Sequence, residues 1–329
     1  MKASATPDDF IHKSKPRVGV NQVLIRVYYV GITQEDVSLY YDRKIPMQHI
    51  GTDFSGVIVH KHDSVENFHI NESVFGFSSK GGAYAEYLVC DSSTLGRIPK
   101  GMTFQQAASL PDMWISAIQL LKIDANFKQR SSVVVLNALT QRGQACVQLA
   151  QVMGCRRVHA IVSGYEAEKD VLKYLKLPTS LVDEVVPSCL LERDTGYMLA
   201  LNRFDPDGVD CVIDLLNTPI LKTSIMKAEG RYVMVNPSLH LSGKDIELIF
   251  QRPTTIHGST VRGRDPKHYR EHVEFITEHI IPKLLNKQLS FRITKVCNWK
   301  NLGKAMLFVR QNEEHPGKVI CKITEKVID

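Results

Sequence analysis

From Ser131 onward the chain alternates short apolar runs with amphipathic segments: "SSVVVLN", "GQACVQLAQVMG", "RVHAIVS", "EAEKDVLKYLKL", "VDEVV", "VDCVIDLL", "TPILKTSIMKA" and "GRYVMVN". A run such as Val133-Val134-Val135-Leu136 has no polar face, so it must be covered on both sides. A parallel sheet with helices on each face meets that demand. This alternation predicts an α/β, doubly wound domain. The residues before it obey a different rule. "VNQVLIRVYYVGI", "IGTDFSGVIVHKHD", "NESVFGFSS" and "GGAYAEYLVCD" are β-branched and aromatic runs bounded by Gly, Asn, Asp or Ser, as in a barrel-like β domain.

A helix-period stripe of Trp114, Ala117, Ile118 and Leu121 marks the junction, and the last residues return to strand–helix–strand character. We therefore divide the chain into 1–111, 112–288 and 289–329, the last part returning to the character of the first. The long segment "DPKHYREHVEFITEHIIPKLLNKQ" closes the middle part in this division. A net charge of +6 without a dense Lys/Arg run argues against nucleic acid. No apolar stretch reaches membrane-spanning length, and Asp8 and Asp9 argue against a transit peptide, so a cytoplasmic protein is expected. Seven scattered cysteines without a C-x-x-C pair read as reduced, mostly buried thiols.

The turn Asn137-Ala138-Leu139-Thr140-Gln141-Arg142-Gly143 joins an apolar strand to a helix, the place where dinucleotide folds cradle a pyrophosphate. It holds one glycine where two or three are usual, and Gln141 and Arg142 stand where bare backbone is wanted. Arg142 can meet a phosphate directly or face solvent at a helix start. About 20 residues on, where an acid would bind the ribose of NAD, the chain reads Ser163-Gly164-Tyr165, with Lys169 beyond. The absence of an acid favours NADPH.

"GTDFSGVI", "GGAYAEYLV", "RIPKGMTFQQAASLPDMWISAIQLL", "GQACVQLAQVMG", "GVDCVIDLL", "EGRYVMV" and "HPGKVI" occur in this order over nearly the whole chain. Together they resemble the zinc-free quinone oxidoreductases of the medium-chain dehydrogenase/reductase superfamily, closest to the tumour-suppressor-inducible branch. The resemblance implies a GroES-like catalytic domain with an inserted Rossmann domain, and homodimers. It implies NADPH in the interdomain cleft and hydride transfer to a quinone or enone. No side-chain nucleophile is implied; binding and orientation carry the catalysis. Zinc relatives require Cys or His early in the catalytic domain and a Gly-His-Glu; here the stretches read "YVGITQEDVSLYY" and "IGTDFSG", so no metal is expected.

Carried over by position, Ser116 would face the nicotinamide, and Asn137, Thr140 and Gly143 would form the phosphate loop. Gly164, Tyr165 and Lys169 would meet the adenosine 2′-phosphate, and Gly317 with Lys318 would close over the nicotinamide. Tyr41, Phe54 and Trp114, beside Tyr40, would line the acceptor pocket. Each also has a plain structural explanation: a small helix residue, a solvated lysine, a turn glycine, a core aromatic. Four departures oppose activity. Thr33 replaces a family Asn beside the nicotinamide, Asn137 and Gln141 replace small loop residues, Asn217 and Thr218 replace glycines of a "DxxGG" strand end, and Asn236 replaces a further Gly. The alternative to a reductase is accordingly a pseudoenzyme with a weakened cofactor site, acting as a binding or regulatory protein. The segment before "VLIRV" is also shorter than the family's, which leaves its first strand unaccounted for.

Overall fold

Strand β3 (Gln22–Ile32) organises the β-rich domain: eight of its residues, including Val23, Ile25, Val27 and Val30, are buried core hydrophobics. In the computed structural model, residues 2–4, 10–162, 184–187, 205–215, 225–235, 243–262, 264–312 and 317–324 are described. They divide into two units, one built from Met1–Ile115 and Arg262–Asp329, the other from Ser116–Val261.

In the first unit β3 pairs antiparallel with β4 (Asp53–Lys61), β6 (Tyr87–Asp91) and β15 (Lys318–Lys322). β5 (Ser73–Phe77) and β7 (Leu95–Arg97) extend the sheet beyond β4, and β14 (Ile293–Asn298) pairs parallel with β15 at the other end. The last strand in the chain therefore lies between β3 and β14. Short strands β1 (Lys2–Ser4) and β2 (Phe10–His12) form a separate antiparallel pair. The core contains Val23, Ile25, Val30, Phe54, Val74, Leu302 and Val319. Helix α1 (Gln34–Tyr41) follows β3 directly; α2 (Phe104–Ala107) leads into α3 (Pro111–Ile118), inside which the first unit ends.

The second unit holds six parallel strands in the order β10-β9-β8-β11-β12-β13, the order of a Rossmann sheet. They are β8 (Ser132–Leu136), β9 (Arg157–Val162), β10 (Glu184–Pro187), β11 (Val209–Asp214), β12 (Met226–Met234) and β13 (Thr255–Gly258). All of β8 is buried, as its unbroken apolar run requires. Helices α4 (Gln141–Val152) and α5 (Gly243–Gln251) belong to this unit.

One boundary differs from the sequence reading. The chain re-enters the first unit at Arg262 rather than at residue 289. The reason is the helical segment α6 (Pro266–Phe275) and α7 (Ile281–Leu285), assigned above to the insert. Its Tyr269 is fully buried against Phe77 of β5, with ring centroids 4.9 Å apart. An added Cβ on Gly96 of β7 would lie 3.0 Å from the Thr277 hydroxyl.

Candidate functional site

In the second unit, the turn between β8 and α4 keeps its shape with unusual residues. Asn137 sits at φ 63°, the left-handed region where glycine is the default and Asn is among the best-tolerated alternatives. The Asn at this position thus preserves the turn that a family Gly would make. Thr140 caps α4, its Oγ1 accepting from the Gly143 N–H at 3.1 Å and donating to the Asn137 carbonyl at 2.9 Å. Gly143 is required for packing: an added Cβ would lie 2.4 Å from the Asn137 carbonyl oxygen and 2.7 Å from Ala138 Cα. Loop and helix approach as closely as the third glycine of a dinucleotide fingerprint allows. Gln141 and Arg142, both half-buried, form the first turn of α4.

Two polar atoms beside this framework lack partners. Ser116, 1% exposed on α3, has no hydrogen bond to its hydroxyl, and the buried Oδ1 of Asn137 has none either. On the same helix, but within the first unit, the indole N–H of fully buried Trp114 is likewise without a partner. Leaving such a group buried and unsatisfied costs about 1–3 kcal/mol, so each asks for an explanation.

The first unit carries a network of buried charge on Asp36. Thr33 is the N-cap of α1 and forms a capping box with Asp36. The Asp36 carboxylate, with no exposure, accepts from the Thr33 N–H at 3.1 Å, the Gly51 N–H at 3.1 Å, the Tyr84 hydroxyl at 3.2 Å and Arg262 Nη2 at 2.6 Å. Arg262 also meets Glu35 at 3.1 Å, and its Nη2 lies 3.3 Å from Thr33 Oγ1 and 3.5 Å from Thr52 Oγ1. Burial works against the guanidinium's charge, but Asp36 and Glu35 hold its pKa above the ordinary value. Burial, reinforced by the charge of Asp36, pushes the Tyr84 phenol well up. Nothing in the sequence motifs pointed to Arg262, because its partners are more than 200 residues away in the chain.

These residues do not fit zinc. Thr52 stands at the His of Gly-His-Glu, and its oxygen and that of Thr33 face the Arg262 guanidinium. The next residue, Asp53, is fully buried and bound at 2.7 Å to Lys318 Nζ, itself 1% exposed. A cation of the protein already occupies each of these places.

Several sequence expectations change accordingly. The Lys318 ammonium is engaged by Asp53 inside the first unit. Gly317 has φ 133° and lacks room for a Cβ, 2.5 Å from Thr294 Oγ1, which accounts for that glycine on structural grounds. Phe54 is a core residue with no exposure rather than a pocket wall, because β4 turns that face inward. Tyr41 packs on the outside of the same core, edge-on to Tyr40 at 5.0 Å and 4.7 Å from the Arg310 guanidinium. Thr33 uses its side chain as a helix cap. Gly164, Tyr165, Lys169, Asn217, Thr218 and Asn236 lie outside the described residues.

Comparison with known proteins agrees with this architecture. Residues 19–100 match the family model of the alcohol dehydrogenase GroES-like domain. The chain is 25% identical to the highly reducing polyketide synthase ACRTS2 of Alternaria alternata, over 98% of this chain and 13% of the synthase. The human synaptic vesicle membrane protein VAT-1 homolog-like is 28% identical over 59% of this chain and 43% of that protein. The chain spans less than half the length of the curated relatives it matches. Among solved structures, an alcohol dehydrogenase superfamily protein from Novosphingobium aromaticivorans superposes with a TM-score of 0.82 at 18% identity, over 98% of this chain and 100% of that one. The quinone oxidoreductase from Coxiella burnetii gives 0.74 at 22%, covering 98% of each chain. The CurK enoyl reductase gives 0.76 at 20%, covering 97% of each. Sheet order, the matched domain and these superpositions agree: the chain has a Rossmann unit inserted into a GroES-like domain.

Proposed function

We propose that the chain is an NADPH-dependent reductase of quinones or α,β-unsaturated carbonyl compounds. The observation that carries this reading is the β8–α4 turn. Asn137 holds the left-handed position, Thr140 caps the helix, and Gly143 keeps the loop against it. The changes within the 137–143 turn thus leave a strand–turn–helix of the expected shape. The unpartnered Ser116 hydroxyl and Asn137 Oδ1 support the reading, since a bound cofactor would satisfy them. The likeness to a quinone oxidoreductase and an enoyl reductase names the reaction class.

On this reading the turn's backbone and the N-terminal end of α4 hold the pyrophosphate. Ser116 orients the nicotinamide. The cofactor, when bound, supplies the hydride. The reading includes a second copy of the chain as partner, for which Phe250, 82% exposed, and Ile246, 46% exposed, offer an apolar stripe on α5. It also includes a reducing, cytoplasmic setting, in keeping with the free cysteines; no helix among the described residues is long and apolar enough to cross a membrane.

One observation favours the alternative, a binding protein without turnover. The Gly143 N–H, a donor a phosphate would use, is already taken by Thr140. Calorimetric titration with NADPH, with NADH as comparator, separates the two. Micromolar binding that prefers NADPH, weakens several-fold in Ser116→Ala and disappears in Gly143→Trp supports the reductase and calls for a quinone and enone screen. No binding at millimolar cofactor refutes it.

A further inference from the structure

Two cysteines of the first unit face each other across neighbouring strands. Cys297 of β14 and Cys321 of β15 are register partners in a parallel strand pair, so their side chains leave the same face of the sheet. Neighbouring strands lie about 4.7–4.9 Å apart, within the roughly 4.4–6.8 Å Cα separation that a disulfide spans.

Their surroundings separate this pair from the other buried cysteines. β14 is the end strand of its sheet, and Val296, next to Cys297, is 46% exposed. The β14–β15 register shifts between Ile293 and Lys295, an irregularity that lets an edge strand adjust. The adjacent Cys321 thiol, with the nearby Lys295 ammonium, lowers the Cys297 pKa despite burial, while Cys321 itself is pushed up by Cys297 and by burial. Burial pushes Cys90 and Cys211 well up, and Cys146 up to about 12, which makes those thiols inert.

We propose that Cys297 and Cys321 form an oxidisable dithiol, a modification site for hydroperoxides that closes reversibly to a disulfide across β14 and β15. The Cys297 thiolate attacks the terminal peroxide oxygen. The O–O bond breaks, a sulfenic acid forms, and the departing hydroxide takes a proton to become water. Cys321 sulfur then attacks the sulfenic sulfur, its proton leaving with the hydroxyl as a second water. Two thiols give up two electrons, and one peroxide is reduced to two waters. Directly paired strands hold the two Cβ atoms near the strand spacing, wider than the roughly 3.8 Å a relaxed disulfide prefers. The bond therefore draws the edge strand inward, and small thiols reduce it readily.

The test uses the full chain carrying Cys155→Ser and Cys189→Ser, exposed to hydrogen peroxide at low molar excess. Intact mass spectrometry and peptide mapping follow, before and after dithiothreitol. The expected result is loss of two hydrogens, a linked peptide joining Cys297 to Cys321, and full reversal by the reductant. Cys321→Ser in the same background should leave a sulfenic acid on Cys297 that dimedone traps. Two results overturn the proposal: Cys297 staying reduced at doses that oxidise free cysteine completely, or Cys297 passing to sulfinic acid with no linked peptide.

Discussion

Replacing Lys318 with Met isolates the buried pair in the first unit. It removes the ammonium 2.7 Å from Asp53 and leaves that carboxyl, fully buried, with the Asp112 N–H at 2.9 Å as its hydrogen-bond donor. Burial pushes Asp53 up to about 7, against the opposing pull of Lys318. The sign follows from this raised value: Asp53 supports the fold most below its unfolded pKa of about 3.9. That support falls away as pH rises toward 7 in the native protein. In Lys318→Met the opposing cation is gone, so the carboxyl titrates later and the decline continues above 7, at up to about 1.4 kcal/mol per pH unit. Below 7 the variant should lose only a hydrogen bond, about 1 kcal/mol. By about pH 9 the deficit should reach the roughly 3–5 kcal/mol of a broken buried pair. Urea unfolding followed by tryptophan fluorescence reads this unit specifically, since both tryptophans, Trp114 and Trp299, belong to it. Lys318→Met/Asp53→Asn should regain most of the deficit at high pH. A penalty flat across the pH range, or a double variant no better than the single, would refute the reasoning.

Arg262→Met should destabilise the same unit by about 3 kcal/mol because it strands Asp36 in the interior; Arg262→Lys should recover less than half, since an ammonium cannot reproduce the guanidinium's reach to Glu35, Asp36, Thr33 and Thr52. The fluorescence assay reads both. Asn137→Gly should be nearly neutral in thermal unfolding, whereas Asn137→Val, forced to φ 63°, should cost about 1–3 kcal/mol.

The Rossmann unit was legible in sequence because a fully buried parallel strand has to be apolar throughout, and Val133–Leu136 is. Gly143 was legible for a related reason, since only glycine fits between loop and helix there. The return point at Arg262 was not. An amphipathic helix such as Pro266–Phe275 declares that it has a buried face, but not which sheet will cover it. The Lys318–Asp53 pair was not legible because its members lie 265 residues apart, and a Gly-Lys before a strand looks the same with or without a buried carboxylate opposite. Phe54 shows a similar ambiguity, for an aromatic in a strand suits a core and a pocket equally. Asn137 carried a usable signal: Asn tolerates the left-handed conformation, and a reading by φ rather than by residue type would have kept the turn intact.

The placement of β15 between β3 and β14 has a consequence for the chain as it leaves the ribosome. Val319 pairs with Ile32, and Cys321 with Val30. The stretch Tyr29 to Ile32 of the central strand therefore stays open along one edge until β15 has been made, whereas β6 covers Gln22 to Arg26 much earlier. The inserted Rossmann unit suffers no such delay, since its strands all come from Ser132 to Gly258. The nascent protein thus holds a template for strand addition beside a unit already able to fold. In refolding, closure of this long-range pairing should set the slow phase.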